Sequence, residues 1–216
     1  MTTDERIDQA QLLYERAVFG GDADAVPVGE RALDGVEADL ALARGRLLHA
    51  RFLEEGAEDP RELELFERAA ALYARLGDGR GEGEALFWVG IVHQVVRDDT
   101  DRALPFFERA LALAGAAGDR LTVSYALRHL AFAEGLAGRP DAARERLEES
   151  TRLRRELGFG PGVAANLIVL ARLAVERADH EEARALLDEA AELAERAGAE
   201  GVLRWVAATR EELGVG

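Results

Sequence analysis

Cysteine and lysine are both missing from this chain of 216 residues, and asparagine occurs once, as Asn166. Without cysteine there is no disulfide framework and no thiolate metal site. Without lysine, all 27 basic residues are arginine. With little isoleucine as well, this is the bias a GC-rich bacterial genome imposes, and it says nothing of recognition. Aromatic residues reach only 6% and prolines number five, while the hydrophobic share of 48% leans on alanine and leucine. That balance favours helix over strand. Positive charge is short too: a net charge of −15 argues against nucleic acid or an anionic membrane as partner. The most apolar run, Ala85 to Val96, is too short to span a bilayer. The start, Met1-Thr-Thr-Asp-Glu-Arg6, lacks the apolar core of a signal peptide, so a cytoplasmic location is expected.

What is present is a beat. Glycines that close helical segments recur at Gly77, Gly118, Gly158 and Gly198, spaced 41, 40 and 40 residues apart. Leu72, Leu113, Leu153 and Leu193 keep the interval, as do Phe66, Phe107, Leu147 and Leu187. Shorter columns run Leu86, Leu127, Leu167 and Gly90, Ala131, Ala171. A fixed period with apolar anchors marks stacked helical repeats, none of which can bury its apolar face alone. The odd interval is located by Gly90 to Ala131, 41 residues, against Ala103 to Ala143, 40. The extra residue lies between Gly90 and Ala103, and the turn Arg97-Asp98-Asp99-Thr100 is where an insertion is expected.

Eleven helices are predicted, near 3–19, 24–36, 38–55, 60–76, 81–97, 101–117, 120–137, 140–157, 162–178, 180–197 and 202–213. They make five antiparallel pairs and a last single helix. Gly77-Asp78 and Gly118-Asp119 join a left-handed helix stop to a capping carboxylate for the next helix. Asp59-Pro60-Arg61-Glu62 reads as an N-cap, a proline at the first helical position and a reciprocal capping glutamate. Gly160-Pro161-Gly162 separates one pair from the next. Pro105 fits poorly, about one turn inside its helix, so that helix is expected to start late or bend.

This pattern resembles the tetratricopeptide repeats. Their unit places a large and a small residue on the first helix, then alanine, an aromatic and alanine on the second. The matching residues are Leu86, Val89 and Gly90 with Ala103, Phe107 and Ala110. The next unit has Leu127, Leu130 and Ala131 with Ala143, Leu147 and Ser150, and the third Leu167, Leu170 and Ala171 with Ala183, Leu187 and Ala190. The interval is longer than the family's ordinary 34 residues, and is similar to the repeats of large bacterial sensory regulators. The resemblance is specific over 60–198. Over 1–59 it is degenerate: Glu62 stands where alanine is expected, and Gly45, His49 and Ala50 all remain open as the small residue of helix 38–55. The helix of 199–216 reads as a cap, with Leu203, Val206 and Leu213 apolar and Arg204, Arg210, Glu211 and Glu212 charged, so the array is expected to be complete. The fold the resemblance implies is an all-α, right-handed superhelix of helix pairs.

It also implies that the first helix of each pair lines a concave groove. The residues so placed are Phe87, Ile91, Gln94, Tyr125, Arg128, Phe132, Ile168, Arg172 and Val175. Aromatic and aliphatic side chains would form the floor, and Arg128 and Arg172 two cationic posts. Such a groove suits a peptide or partner segment with acidic groups or a C-terminal carboxylate. The plainer alternative is that these groups pack against neighbouring helices and the arginines are solvated or paired. The lysine and asparagine clamp of eukaryotic chaperone adaptors is not carried over, since there is no lysine here and Asn166 does not match it.

Two further readings stay open. Helix 81–97 is apolar on almost every face, so it is either covered by neighbours or meets a partner, including a second copy of the protein through Phe87 and Trp88. His93 and Glu134 occupy equivalent columns and would meet if buried. A small-molecule or catalytic cavity could then form around them with Trp88 and His129, although the histidines lack metal-ligand spacing. The reading favoured is a non-enzymatic, regulatory or scaffolding interaction module with no cofactor and no metal.

Overall fold

Every glycine of the beat ends a helix in the left-handed conformation. In the computed structural model, which describes residues 4–215, Gly77, Gly118, Gly158 and Gly198 have φ of 74°, 72°, 69° and 62°. A Cβ disfavours that region, which is why glycine stands there. The capping carboxylates follow as predicted. Asp78 accepts from Gly81 N at 3.0 Å and Asp119 from Thr122 N at 3.2 Å, each satisfying a donor at a helix start that would otherwise be orphaned.

The described residues hold ten α-helices and no strand. They are α1 (Glu5–Gly20), α2 (Ala25–Glu55), α3 (Arg61–Leu76), α4 (Gly79–Ile91), α5 (Thr100–Ala117), α6 (Arg120–Leu136), α7 (Pro140–Glu156), α8 (Gly160–Glu176), α9 (His180–Arg196) and α10 (Glu200–Leu213). The start expected at residue 3 lies outside the described residues. The chain divides into two units, one ending at Gly118 and the other beginning at Asp119. In the first, α2 pairs with α3 and α4 with α5; in the second, α6 pairs with α7 and α8 with α9, and α10 packs on α8 and α9.

The helices predicted at 24–36 and 38–55 are one helix, α2, of 31 residues. Gly35 does not stop it because Val36 and Glu37 follow, with no capping side chain like Asp78 or Asp119 behind the glycine. A helical glycine costs about 1 kcal/mol, and packing on α1 and α3 outweighs it. α2 also closes the open question of register. A Cβ on Gly45 would come within 2.5 Å of the Phe66 ring, just as one on Gly90 would meet Phe107. Gly45 is therefore the small residue of the first pair.

The extra residue lies between Gly90 and Ala103 as expected, but not in the turn 97–100. Asp98, Gly138 and Ala178, five positions before Ala103, Ala143 and Ala183, all have positive φ, so the three turns are equivalent. The insertion is upstream, where Val92–Val96 forms a π-helical turn that continues α4 and Arg97 N bonds to Val92 O. A π-turn is the way a helix absorbs one added residue. Of the two alternatives for Pro105 the late start is excluded: α5 begins at Thr100 and runs through it.

Glu62 is not a reciprocal cap. It is buried, with its Oε1 2.9 Å from Nδ1 of buried His49, and its Oε2 has no partner. Around this pair the first unit stacks aromatics: Phe66 lies on Trp88 with ring centroids 5.4 Å apart, and Trp88 meets the His49 ring edge-on at 5.4 Å.

Candidate functional site

Ser150 interrupts an alanine column, and that substitution has a consequence. In the second unit its hydroxyl donates to Ser124 O at 2.6 Å and accepts from Asn166 Nδ2 at 2.8 Å. Asn166 also donates to Thr151 Oγ1 at 3.2 Å, and Thr151 donates onward to Leu147 O. The Asn166 Oδ1 accepts from two guanidinium groups, Arg128 Nη1 at 2.8 Å and Arg154 Nη1 at 3.0 Å. The lone asparagine of the sequence is thus the hub of a buried polar network, with its amide and carbonyl ends both used.

Arg154 is only 2% exposed. It donates to Ser124 Oγ and Gly162 O, and its guanidinium lies 4.9 Å from the Tyr125 ring and 5.8 Å from that of Phe159. Its Nη2 has no acceptor. Neither Arg154 nor Arg128 meets a carboxylate among the described residues. Burial pushes Arg154 down to about 10 and Arg128 down to about 9, the nearby charge of Arg154 adding to the effect on Arg128. Both charges are held by neutral acceptors at a cost.

Arg128 faces an open cleft of about 920 Å³ whose lining comes wholly from the second unit. α6 contributes Arg128 and Phe132, α8 contributes Ile168 and Arg172, and α10 contributes Trp205 and Thr209. The Arg128 guanidinium is fixed from behind by Ala165 O at 2.8 Å and by Asn166, and lies 4.9 Å from the Phe132 ring. Its Nε and Nη2 have no protein acceptor among the described residues. Arg172 differs: it donates to Glu212 at 2.8 Å and to Thr209 at 3.1 Å, which anchors α8 to α10 and offsets its charge.

The structure therefore gathers four of the nine groove residues, Arg128, Phe132, Ile168 and Arg172, around one cleft. Tyr125 packs instead against Arg154 and Phe159. Val175 is half-buried outside the cleft lining. In the first unit Phe87 and Ile91 are each 3% exposed, Phe87 lying against Trp88 and Phe107, and Gln94 is half-buried. With Phe87 buried and Trp88 stacked on Phe66, the apolar helix does not offer that pair as a surface. Sequence reasoning missed Trp205, which was placed on neither face of the last helix. Val202, Val206 and Thr209 turn inward from α10, and Trp205 remains 53% exposed beside the cleft. It missed the Asn166 network too, although Ser150 in an alanine column was a signal.

The condition set for a pair of His93 and Glu134, burial of both, is not met: His93 is buried and Glu134 only half-buried. Glu134 is bound by Arg139 at 2.5 Å and Arg146 at 3.2 Å, which hold its carboxyl below the usual range. His93 sits in the π-turn stacked on Phe106, with Nδ1 unpartnered. Burial lowers its pKa, with Arg102 and Arg97 adding to the shift. Neither residue lines the cleft. Among the described residues no group of three or more histidine, aspartate or glutamate side chains could hold a metal ion, and no helix is long and apolar enough to cross a membrane.

The family profile described as tetratricopeptide repeat matches residues 84–156 and 120–196, together more than half of the sequence. Among solved structures, the nearly identical TPR-like repeats assigned to a kinesin light chain of Podosopora anserina align at 18% identity. They cover 82% of this protein and 94% of that one with a TM-score of 0.50. A single-substitution form of those repeats gives 17% identity, 84% and 96% coverage and a TM-score of 0.50. BtubC (BKLC) from P. vanneervenii gives 17% identity, 85% and 84% coverage and a TM-score of 0.47. At such identities the first two speak for the fold alone, an α-solenoid of helix pairs. The sequence matches no curated protein.

Proposed function

The chain belongs to the tetratricopeptide repeat family, whose helix pairs mediate protein–protein interaction, and from that premise we propose that its second unit holds an extended partner segment in the cleft lined by α6, α8 and α10. One observation carries the reading: Arg128, its guanidinium positioned through Nη1, has Nε and Nη2 without a protein acceptor among the described residues at a cleft with a largely apolar floor. An incoming carboxylate would accept from Nε and Nη2 side by side, and the gain is large because the charge is already partly desolvated. Phe132, Ile168 and Trp205 receive apolar side chains beside it. Glu176 at the same cleft and the overall charge of −15 disfavour a uniformly acidic segment. The partner chemistry is therefore a single carboxylate among apolar residues, supplied by a free C-terminus or by one Asp or Glu. The role is non-catalytic, regulatory or scaffolding, and cytoplasmic.

A panel of apolar peptides with free and amidated C-termini tests this, with Trp205 emission as the reporter. Arg128→Gln is expected to weaken the free-carboxylate peptides by about 10- to 100-fold, as for a lost charge-assisted hydrogen bond. Arg172→Ala should weaken them less, because Glu212 already holds that arginine. Equal binding by wild type and Arg128→Gln, with unchanged melting, rejects the assignment.

A further inference from the structure

The first unit has an apolar face that its own helices leave open. α2 turns Ala38, Ala41, Leu42, Gly45 and His49 inward. On its other side Val26, Leu33, Leu40 and Leu47 recur every seven residues and are 52, 43, 47 and 71% exposed. Val36 and Ala43 fall between the last three and Ala50 follows Leu47, so from Leu33 to Ala50 the steps alternate between three and four. That spacing is the seam of a two-helix coiled coil, running from Leu33 to Ala50. α1 covers one flank of the first half, Leu13 lying against Gly29, while Glu30, Leu33 and Glu37 stay exposed.

The charges beside the seam identify the occupant. Glu30 and Glu37 flank its first half, and Arg44 and Arg51 its second. Glu30 and Arg44 have no ion-pair partner among the described residues, Arg51 feels the charge of Asp59 without an ion-pair contact, and Glu37 also meets Arg68 at 2.8 Å. One helix thus carries an acidic half and a basic half on the same edge, which matches a copy of itself running the other way.

We propose that this seam is a homodimer interface in which two α2 helices pack antiparallel about a two-fold axis beside residues 41 and 42. In that register Leu40 lies opposite the partner's Ala43, Val36 opposite the partner's Leu47, and Leu33 opposite the partner's Ala50. Large residues meet smaller ones in each layer, which allows close approach. The same register sets Glu37 beside the partner's Arg44 and Glu30 beside the partner's Arg51, and symmetry repeats each pair. Arg44, Leu47 and Arg51 line a depression of about 420 Å³ that the partner's acidic half fills. A parallel pair would set acidic half against acidic half. The interface is independent of the cleft in the second unit.

Light scattering of the full-length protein across a concentration series is expected to give twice the monomer mass, and a monomer throughout overturns the proposal. Leu40→Glu with Leu47→Glu should yield a monomer of unchanged helicity, since both side chains are exposed; a persistent dimer places the interface elsewhere. Glu30→Arg with Glu37→Arg should weaken dimerisation about tenfold or more. Adding Arg44→Glu and Arg51→Glu should restore it, and failure to restore rejects the register. Because the sequence lacks cysteine, oxidation gives an independent reading. Leu33→Cys with Ala50→Cys should crosslink and Leu33→Cys alone should not; crosslinking by Leu33→Cys alone would mean a parallel pair and reject the register.

Discussion

The two units bury polar groups in opposite ways. In the first, Glu62 and His49 face each other as a pair inside an aromatic stack, with one carboxylate oxygen left over. In the second, Arg128 and Arg154 share one neutral asparagine and several hydroxyl and carbonyl oxygens, with no carboxylate in reach. The first arrangement is closed, because each member answers the other. The second leaves charge outstanding, and there a largely desolvated guanidinium lines a cleft. A buried pair is a matter of stability, whereas an unanswered buried charge is a demand that a ligand can meet.

Breaking the closed pair should have the largest effect. His49→Ala leaves a buried carboxylate with no donor and should cost about 3–5 kcal/mol in urea unfolding. The double variant His49→Leu with Glu62→Ala should recover most of that loss, since replacing both partners by apolar groups is close to neutral. Asn166→Leu removes the acceptor shared by two guanidinium groups and should cost about 2–4 kcal/mol; it should also weaken peptide capture, because Arg128 loses its backing.

A smaller effect is expected from pH. His93 is buried with its pKa lowered, so below about 6.5 the unfolded protein binds a proton that the folded protein refuses. Stability should therefore fall as pH drops from about 6.5 towards the lowered folded value, by at most about 1.4 kcal/mol per pH unit. His93→Leu should flatten melting curves between pH 7 and 5; an unchanged slope removes His93 as the cause. The smallest effect is predicted for Arg154→Met, within about 1 kcal/mol of wild type in either direction. An apolar side chain of similar length relieves the burial of charge while losing only neutral acceptors. A loss as large as that of His49→Ala would erase the contrast between the units.

Most of the helix boundaries were legible because they are written in local chemistry. Gly77, Gly118, Gly158 and Gly198 each need left-handed backbone, and Asp78 and Asp119 cap whatever comes next. The break expected between 36 and 38 does not exist because that local chemistry is missing there: no capping side chain follows Gly35, only Val36 and Glu37. The site was half legible. Arg128, Phe132, Ile168 and Arg172 share a cleft because they repeat on one helical face. Yet no spacing rule shows that Arg172 is answered by Glu212 while Arg128 is not. That difference depends on side chains 37 to 40 positions away in the sequence, where periodicity gives neighbourhood but not bonding. Glu62 was read as a cap because its local setting fits one, and only packing against α2 reveals its partner.

The π-turn at Val92–Val96 gives the fold tolerance to a change of length. Since Asp98, Gly138 and Ala178 adopt the same conformation, the surplus residue never reaches the turn, and everything after it keeps its phase. A single-residue deletion within this stretch would tighten the coil to ordinary α geometry and leave the downstream columns aligned. A deletion inside the turn itself would pull α5 round by a full residue. One residue can thus be gained or shed at this helix without any other packing layer having to be rebuilt.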